Sequence, residues 1–217
     1  MVLDLGAHRG EFAKELGRRL GCTCYAVEAN PALSALIDAT PQLTVFNYAV
    51  CSVDSPVELQ IESNLECSRV ALEGTPPLSR PVSTAVVPGK RLETLLGELG
   101  LVSIDLLKVD IEGAEIPVFR GAPEKLLRTV GQITIEFHDF MEELDQGPAV
   151  AEVIERLKAL GFIPVVFTKR NHADVLFVNR ARVVLGPLDR FYLEHVSRYA
   201  WWLRRLLARV LPRRGTG

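Results

Sequence analysis

The residues best placed to do chemistry are acids at the ends of apolar runs. Asp4 sits in Val2-Leu3-Asp4-Leu5, just ahead of Gly6 and Gly10. Glu28 ends the next apolar run, residues 23–28. It follows the glycine turn at about the spacing that a βαβ unit puts between its turn and the ribose-binding acid. Its two oxygens can accept from both hydroxyls of a ribose; the alternative is a solvated surface acid. Asp110 ends a third apolar run, residues 104–110, with Glu112 and Glu115 close behind. Some of this acid complements the start of a following helix, Glu115 most readily. Lys108 lies inside that run. A lysine in an apolar strand needs a carboxylate partner, and Glu112, Glu115 and Glu136 are the candidates. With a two-residue period, Thr134, Glu136 and His138 share one face of a strand over residues 132–139. A neutral histidine there can take a proton near physiological pH, unless it serves only as a surface or capping group. Asp110, His138 and Glu136 are therefore the candidate catalytic residues.

These side chains must be positioned by an alternating α/β chain. Residues 2–5 read as a strand, Gly6 to Gly10 as a turn, and the stretch after it as a helix with Phe12, Leu16 and Leu20 on one face. Small residues in the turn let backbone approach a ligand, and the helix start offers unpaired N–H groups. Asn30-Pro31 opens a second helix, with Leu33, Leu36 and Ile37 as its apolar face. Residues 43–47 form strand three, and Ala49 and Val50 lie in the loop at its carboxyl end, beside the base of a bound nucleotide. Val57, Leu59 and Ile61 alternate with polar residues, as do Val82, Thr84 and Val86 with less contrast, which predicts an inserted antiparallel pair. Between them, residues 71–81 are proline-rich and form a candidate substrate-facing lid, or else a passive surface loop. A short helix over 91–99, the central strand 104–110, a helix over about 116–129, the strand 132–139 and a helix over 149–160 follow. Two strands, 162–168 and 174–179, then pair antiparallel across a short joint containing His172, which reads as a surface residue.

The chain has 217 residues, 48% hydrophobic and 24% charged, with a net charge of −2. That is ordinary for one globular domain with an appendage and gives no support for nucleic-acid binding. Cys22, Cys24, Cys51 and Cys67 lack paired metal-ligand spacing and read as reduced packing thiols. No leader precedes Asp4 and no apolar run reaches the roughly 20 residues of a membrane span, so the expected location is cytoplasmic. The first strand starts almost at Met1, so either the start is late or the N-terminal cover of the site is missing. Residues 181–217 form a separate tail. It contains Trp201, Trp202, Arg204, Arg205 and Arg209, with Leu203, Leu206, Leu207 and Val210 at helical spacing. This basic amphipathic helix is expected to dock on its own domain or a second copy, or to lie peripherally on an anionic membrane.

Together, Asp4-x-Gly6-x-x-x-Gly10, Glu28-Ala29-Asn30-Pro31, Ala49-Val50-Cys51-Ser52 and Lys108-Val109-Asp110-Ile111-Glu112-Gly113-Ala114-Glu115 resemble the FkbM-type methyltransferases. The resemblance runs from Met1 to about Asn179. It implies a Rossmann-like class I α/β fold: a mostly parallel seven-stranded sheet with an antiparallel last strand, helices on both faces, plus the inserted β-hairpin. It also implies S-adenosyl-L-methionine as cofactor and methyl transfer to a hydroxyl of a sugar, glycan or natural product. By motif, Asp4, Gly6 and Gly10 would frame the methionine part. Glu28 would bind the ribose, Asn30 and the loop with Ala49 and Val50 would lie near adenine, and Ala7 and Ala29 would also be among the cofactor-binding residues. Asp110 would stand near the reactive end, and no metal is needed. His8 departs from the family, which usually has asparagine there. Two rivals remain: a catalytically inactive cofactor-binding module, and a nicotinamide-dependent oxidoreductase, which would require the tighter G-x-G-x-x-G turn.

Overall fold

The computed structural model describes residues 1–62, 68–71, 81–137, 147–167 and 174–193. In chain order the elements are β1 (Val2–Leu5), α1 (Glu11–Leu20), β2 (Cys24–Val27), α2 (Pro31–Ser34), β3 (Leu43–Phe46), β4 (Ala49–Val50), β5 (Pro56–Ile61), β6 (Ser68–Val70) and β7 (Ser83–Lys90). They continue with α3 (Leu92–Glu98), β8 (Ile104–Val109), α4 (Glu115–Gly121), α5 (Glu124–Leu127), β9 (Val130–Ile135), α6 (Gly147–Ala159), β10 (Phe162–Val166), β11 (Val175–Asn179) and α7 (Pro187–Phe191).

The main sheet is seven-stranded, in the order β10-β11-β9-β8-β1-β2-β3. All its pairings are parallel except those of β11, which runs antiparallel to both neighbours. Strand order reverses next to β1, and open α/β sheets bind ligands outside the carboxyl ends of strands at such a point. The two-residue period divides the core in two. Leu3, Leu5, Val27, Leu107 and Val109 pack with α3, α4 and α6 on one face. Val2, Cys24 and Ala26 pack with Ala13 of α1 and with Ile37 on the other. Covered on both sides, the parallel strands are apolar nearly throughout. Among the polar exceptions, Asp4 and Lys108 are register partners across β1 and β8.

The inserted pair is real but belongs to a larger unit. β5 and β7 pair antiparallel within a second sheet of order β4-β7-β5-β6. Its phase differs from the expected one. Val57, Leu59 and Ile61 face Val87, Ala85 and Ser83 in register, whereas Val82 and Val86 are exposed. A one-residue change of phase moves a whole strand's side chains to the other face, and the β7 sequence is apolar enough on both faces to hide it.

Three helices also depart from expectation. α1 does not bury Phe12 and Leu20, which are 36% and 70% exposed; it buries Ala13. Gly17 also lies close to β2, its missing Cβ 3.7 Å from Cys24 Sγ. Small residues thus bring α1 near the sheet. In the second helix Leu33 and Ile37 are buried, but Leu36 is exposed. Helix α2 itself ends at Ser34. The single helix expected over 116–129 is broken at Ala122-Pro123, both with extended backbone. Proline lacks the N–H that would continue the ladder and disfavours helix in the residue before it.

Cys22, Cys24 and Cys51 are free thiols. No helix among the described residues is long and apolar enough to cross a membrane. His138, His172, Cys67, the core of the expected lid and the tail beyond Leu193 lie outside the described residues.

Candidate active site

The carboxyl ends of β1, β2, β3 and β8 surround a cleft of about 640 Å³, within the roughly 300–1,000 Å³ that small-molecule sites span. Gly6, Glu28, Ala29, Ala49, Val50 and Asp110 line it. Also on its wall are His8, Arg9, Glu11, Leu33, Tyr48, Ile111 and Glu112, and Leu59, Ser68 and Val70 of the second sheet.

The β1 turn is shaped by sterics. Gly6 has φ 75°, and a Cβ there would stand 1.6 Å from the carbonyl oxygen of Asp110. Gly10 has φ 72° and caps α1, and a Cβ there would meet Ile37 at 2.7 Å. The glycines are thus needed first to pack protein against protein, and only Gly6 also reaches the cleft. Ala7 is buried in the α1-side core. Between the glycines His8 takes φ 52°. Asparagine, aspartate and histidine tolerate this left-handed region better than most residues, so histidine can replace the usual asparagine without rebuilding the turn. Nε2 of His8 is buried and has no hydrogen-bond partner in the structure.

That conformation aims the backbone N–H of His8 at Glu28. Oε2 of Glu28 accepts from His8 N at 2.7 Å, and Oε1 accepts from Asn30 N at 2.8 Å. Burial raises the pKa of Glu28, against the opposing pull of these two N–H groups. Two donors fix the carboxylate while each oxygen keeps further acceptor capacity toward the cleft. Asn47 holds the turn after β2 by donating to the carbonyls of Glu28 and Ala29. Asn30 is fully buried. Its Oδ1 caps α2 at Ala32 N, and its Nδ2 donates to Ser68 Oγ at 3.1 Å.

On the β8 side, Lys108 finds different partners from those expected. Its Nζ donates to Gly6 O and to Asp110 Oδ2, each at 3.3 Å, and stands 3.3 Å from Asp4 Oδ1. Neither Asp4 oxygen is aligned for a hydrogen bond. Burial raises the Asp4 carboxyl to about 6 despite the ammonium beside it. Burial alone would lower the pKa of Lys108, but Asp4 and Asp110 outweigh it and raise it. Asp4 is fully buried behind the turn, so it braces the loop through Lys108 rather than forming cleft wall. Register was the missing information: Asp4 and Lys108 are adjacent only because β1 and β8 pair.

Glu115 is not a free dipole complement. Fully buried, it accepts from Ile111 N and Gly113 N, both at 3.0 Å. It clamps a turn in which Glu112 has φ 52° and Gly113 φ 98°. His8 and Glu112 are the non-glycine residues of positive φ among the described residues, and both line the cleft. Such strain costs about 1–3 kcal/mol per residue and collects at functional sites. Glu136 is half-buried at the end of β9 and is not part of the cleft wall. Among the described residues no three His, Cys, Asp or Glu side chains are grouped to hold a metal ion.

The donor set fits S-adenosylmethionine. The buried Glu28 carboxylate, held by two backbone N–H groups, has acceptor capacity that ribose hydroxyls could use, and Glu11, Asp110 and Glu112 also line the cleft. Acids also suit a cationic sulfonium.

A segment of 73 residues, 34% of this chain, is 41% identical to part of the AMB antimetabolite synthetase AmbE of Pseudomonas aeruginosa. The match spans 3% of that protein's length. Among solved structures, the precorrin-6y C5,15-methyltransferase of Geobacter metallireducens is 14% identical, with 82% of this chain and 77% of that one covered and a TM-score of 0.37. A chain of the Haloferax volcanii complex containing the Trm112 methyltransferase activator is 9% identical, with 82% and 81% covered and a TM-score of 0.38. The family model of the methyltransferase FkbM domain matches residues 4–164. The chain belongs to the FkbM methyltransferase family.

Proposed function

We propose that this chain transfers a methyl group from S-adenosylmethionine to a hydroxyl of a sugar, glycan or natural-product acceptor. The observation that carries the cofactor assignment is Glu28, held by two backbone N–H groups on the wall of the cleft. The similarity to a segment of an antimetabolite synthetase supports a natural product among the acceptors. When bound, the cofactor supplies a methyl already activated by the sulfonium. The protein then has mainly to align donor and acceptor and exclude water. Glu28 binds the ribose hydroxyls. Lys108 ties Gly6 and Asp110 together and so fixes the width of the cleft between β1 and β8. Asp110, on the cleft wall and paired with Lys108 through Oδ2, orients the acceptor hydroxyl or takes its proton. His138 is the second candidate for that proton.

The assignment is tested by calorimetric titration with S-adenosylhomocysteine and, separately, NAD. Binding of the first and not the second is expected; NAD binding alone would refute it. Transfer of labelled methyl to a panel of hydroxylated metabolites and glycans then tests the acceptor class. Cofactor binding with no transfer to any member would favour an inactive binding module.

A further inference from the structure

The second sheet supplies the cleft with a face that the motifs do not describe. In the β5–β6 ladder Leu59 is opposite Val70, and Ile61 is opposite Ser68. With a two-residue period, Ser68 and Val70 share the face of Leu59, and all three line the cleft. Arg69 points the other way and pairs with Glu62. The second sheet begins at β4, which is Ala49–Val50 itself. The segment expected beside the base is therefore an edge strand of this sheet. The cleft walls differ in polarity: its charged groups follow β1, β2 and β8, whereas the wall at β4, β5 and β6 is apolar apart from Ser68. A purine, with two apolar faces and a polar rim, suits the second wall.

A chain of hydrogen bonds fixes the polar contact there. Oδ1 of Asn30 is committed to the N–H of Ala32, so the amide orientation is set. Nδ2 must then donate, and Ser68 Oγ accepts from it at 3.1 Å. A hydroxyl has one hydrogen to give, and that of Ser68 is turned away from Asn30.

We propose that Ser68 donates this hydrogen to an acceptor nitrogen of the cofactor's purine, with Leu59 and Val70 packed against the base. The inserted sheet is thus the base-recognition wall of the site. The inference rests on the S-adenosylmethionine reading above.

The test is calorimetry on the full chain with S-adenosylhomocysteine and its 1-deaza, 3-deaza and 7-deaza analogues, each lacking one ring acceptor. One neutral hydrogen bond predicts a loss of about threefold to tenfold. The wild-type chain should lose that factor on one analogue. Ser68→Ala should lose it on S-adenosylhomocysteine but bind that same analogue as the wild type does. Ser68→Thr, which keeps the hydroxyl, should bind near wild-type strength. The wild-type analogue series needs no mutation, so a fold defect in Ser68→Ala cannot produce its result. Equal binding of all four ligands by the wild type, or equal relative losses in wild type and Ser68→Ala, would overturn the role of Ser68 while leaving the cofactor reading intact. Failure of the wild type to bind S-adenosylhomocysteine would overturn both.

Discussion

The wall of the cleft at β1 and β8 is held by charge and by missing side chains; the wall at β5 and β6 is held by apolar cross-strand pairs and one amide. In the first, Gly6 packs where no Cβ fits, and a lysine bridges two carboxylates. In the second, Leu59 faces Val70 and an Asn30–Ser68 bond ties β6 to the N-cap of α2. The first wall tolerates almost no substitution, because a clash or a buried charge costs several kcal/mol. The second can change its half-buried residues, Ser68 and Val70, at modest cost. A rigid wall suits the invariant demands of the chemistry, and an adjustable one suits recognition of a flat base.

The contrast predicts a ranking of effects. Gly6→Ala should be the most damaging, since it combines a disfavoured φ with a backbone clash. A loss of about 4–5 kcal/mol in denaturant unfolding is expected, whereas substitutions at Val70 should cost far less. A Gly6→Ala chain of near wild-type stability would mean that the turn is not sterically locked. Lys108→Met comes next. It strands Asp4 in the interior and should cost about 3–4 kcal/mol. Adding Asp4→Asn should restore most of that loss, and simple additivity of the two changes would show that the pair is not coupled.

A smaller effect is set by pH. The Asp4 carboxyl is raised from 3.8 to about 6, chiefly by burial. A raised acid holds its proton more tightly in the folded chain than in the unfolded one, so its contribution to stability falls as pH rises from about 4 to about 6. The size is at most about 3 kcal/mol. Glu28, raised in the same direction, adds to it. Asp54, lowered to about 2 beside Arg91, acts mostly below this window, and the informative quantity is a difference. The melting temperature of Asp4→Asn relative to wild type should increase across that pH window; a constant difference would contradict the assignment.

The same contrast explains what could be read from sequence. Residues of the rigid wall stand out because their types are anomalous where they lie: a lysine and an acid inside apolar strands, glycines at a strand end, an acid closing the next strand. These placed Gly6, Glu28 and Asp110 on the cleft. The same reasoning did not identify the partner of Lys108, because Asp4 is adjacent only through β1–β8 register. Nor did it see that Glu115 is a clamp, since dipole complementarity and bidentate capture of two N–H groups select the same residue type. The adjustable wall leaves no such trace. Leu59, Ser68 and Val70 are ordinary strand residues, and only the pairing of β4 with β7 brings their sheet to the cleft. The misread phase of β7 and the break at Pro123 have a like origin: local pattern fixes the presence of an element better than its facing or its end.

The central claim is that Glu28 is the ribose anchor of an S-adenosylmethionine site. Calorimetric titration of S-adenosylhomocysteine into the wild-type chain and into Glu28→Ala tests it most directly. The account predicts that the wild type binds and that the variant, still folded, binds at least about tenfold more weakly, or more than about 1.4 kcal/mol. An unchanged dissociation constant in a folded Glu28→Ala chain would contradict it.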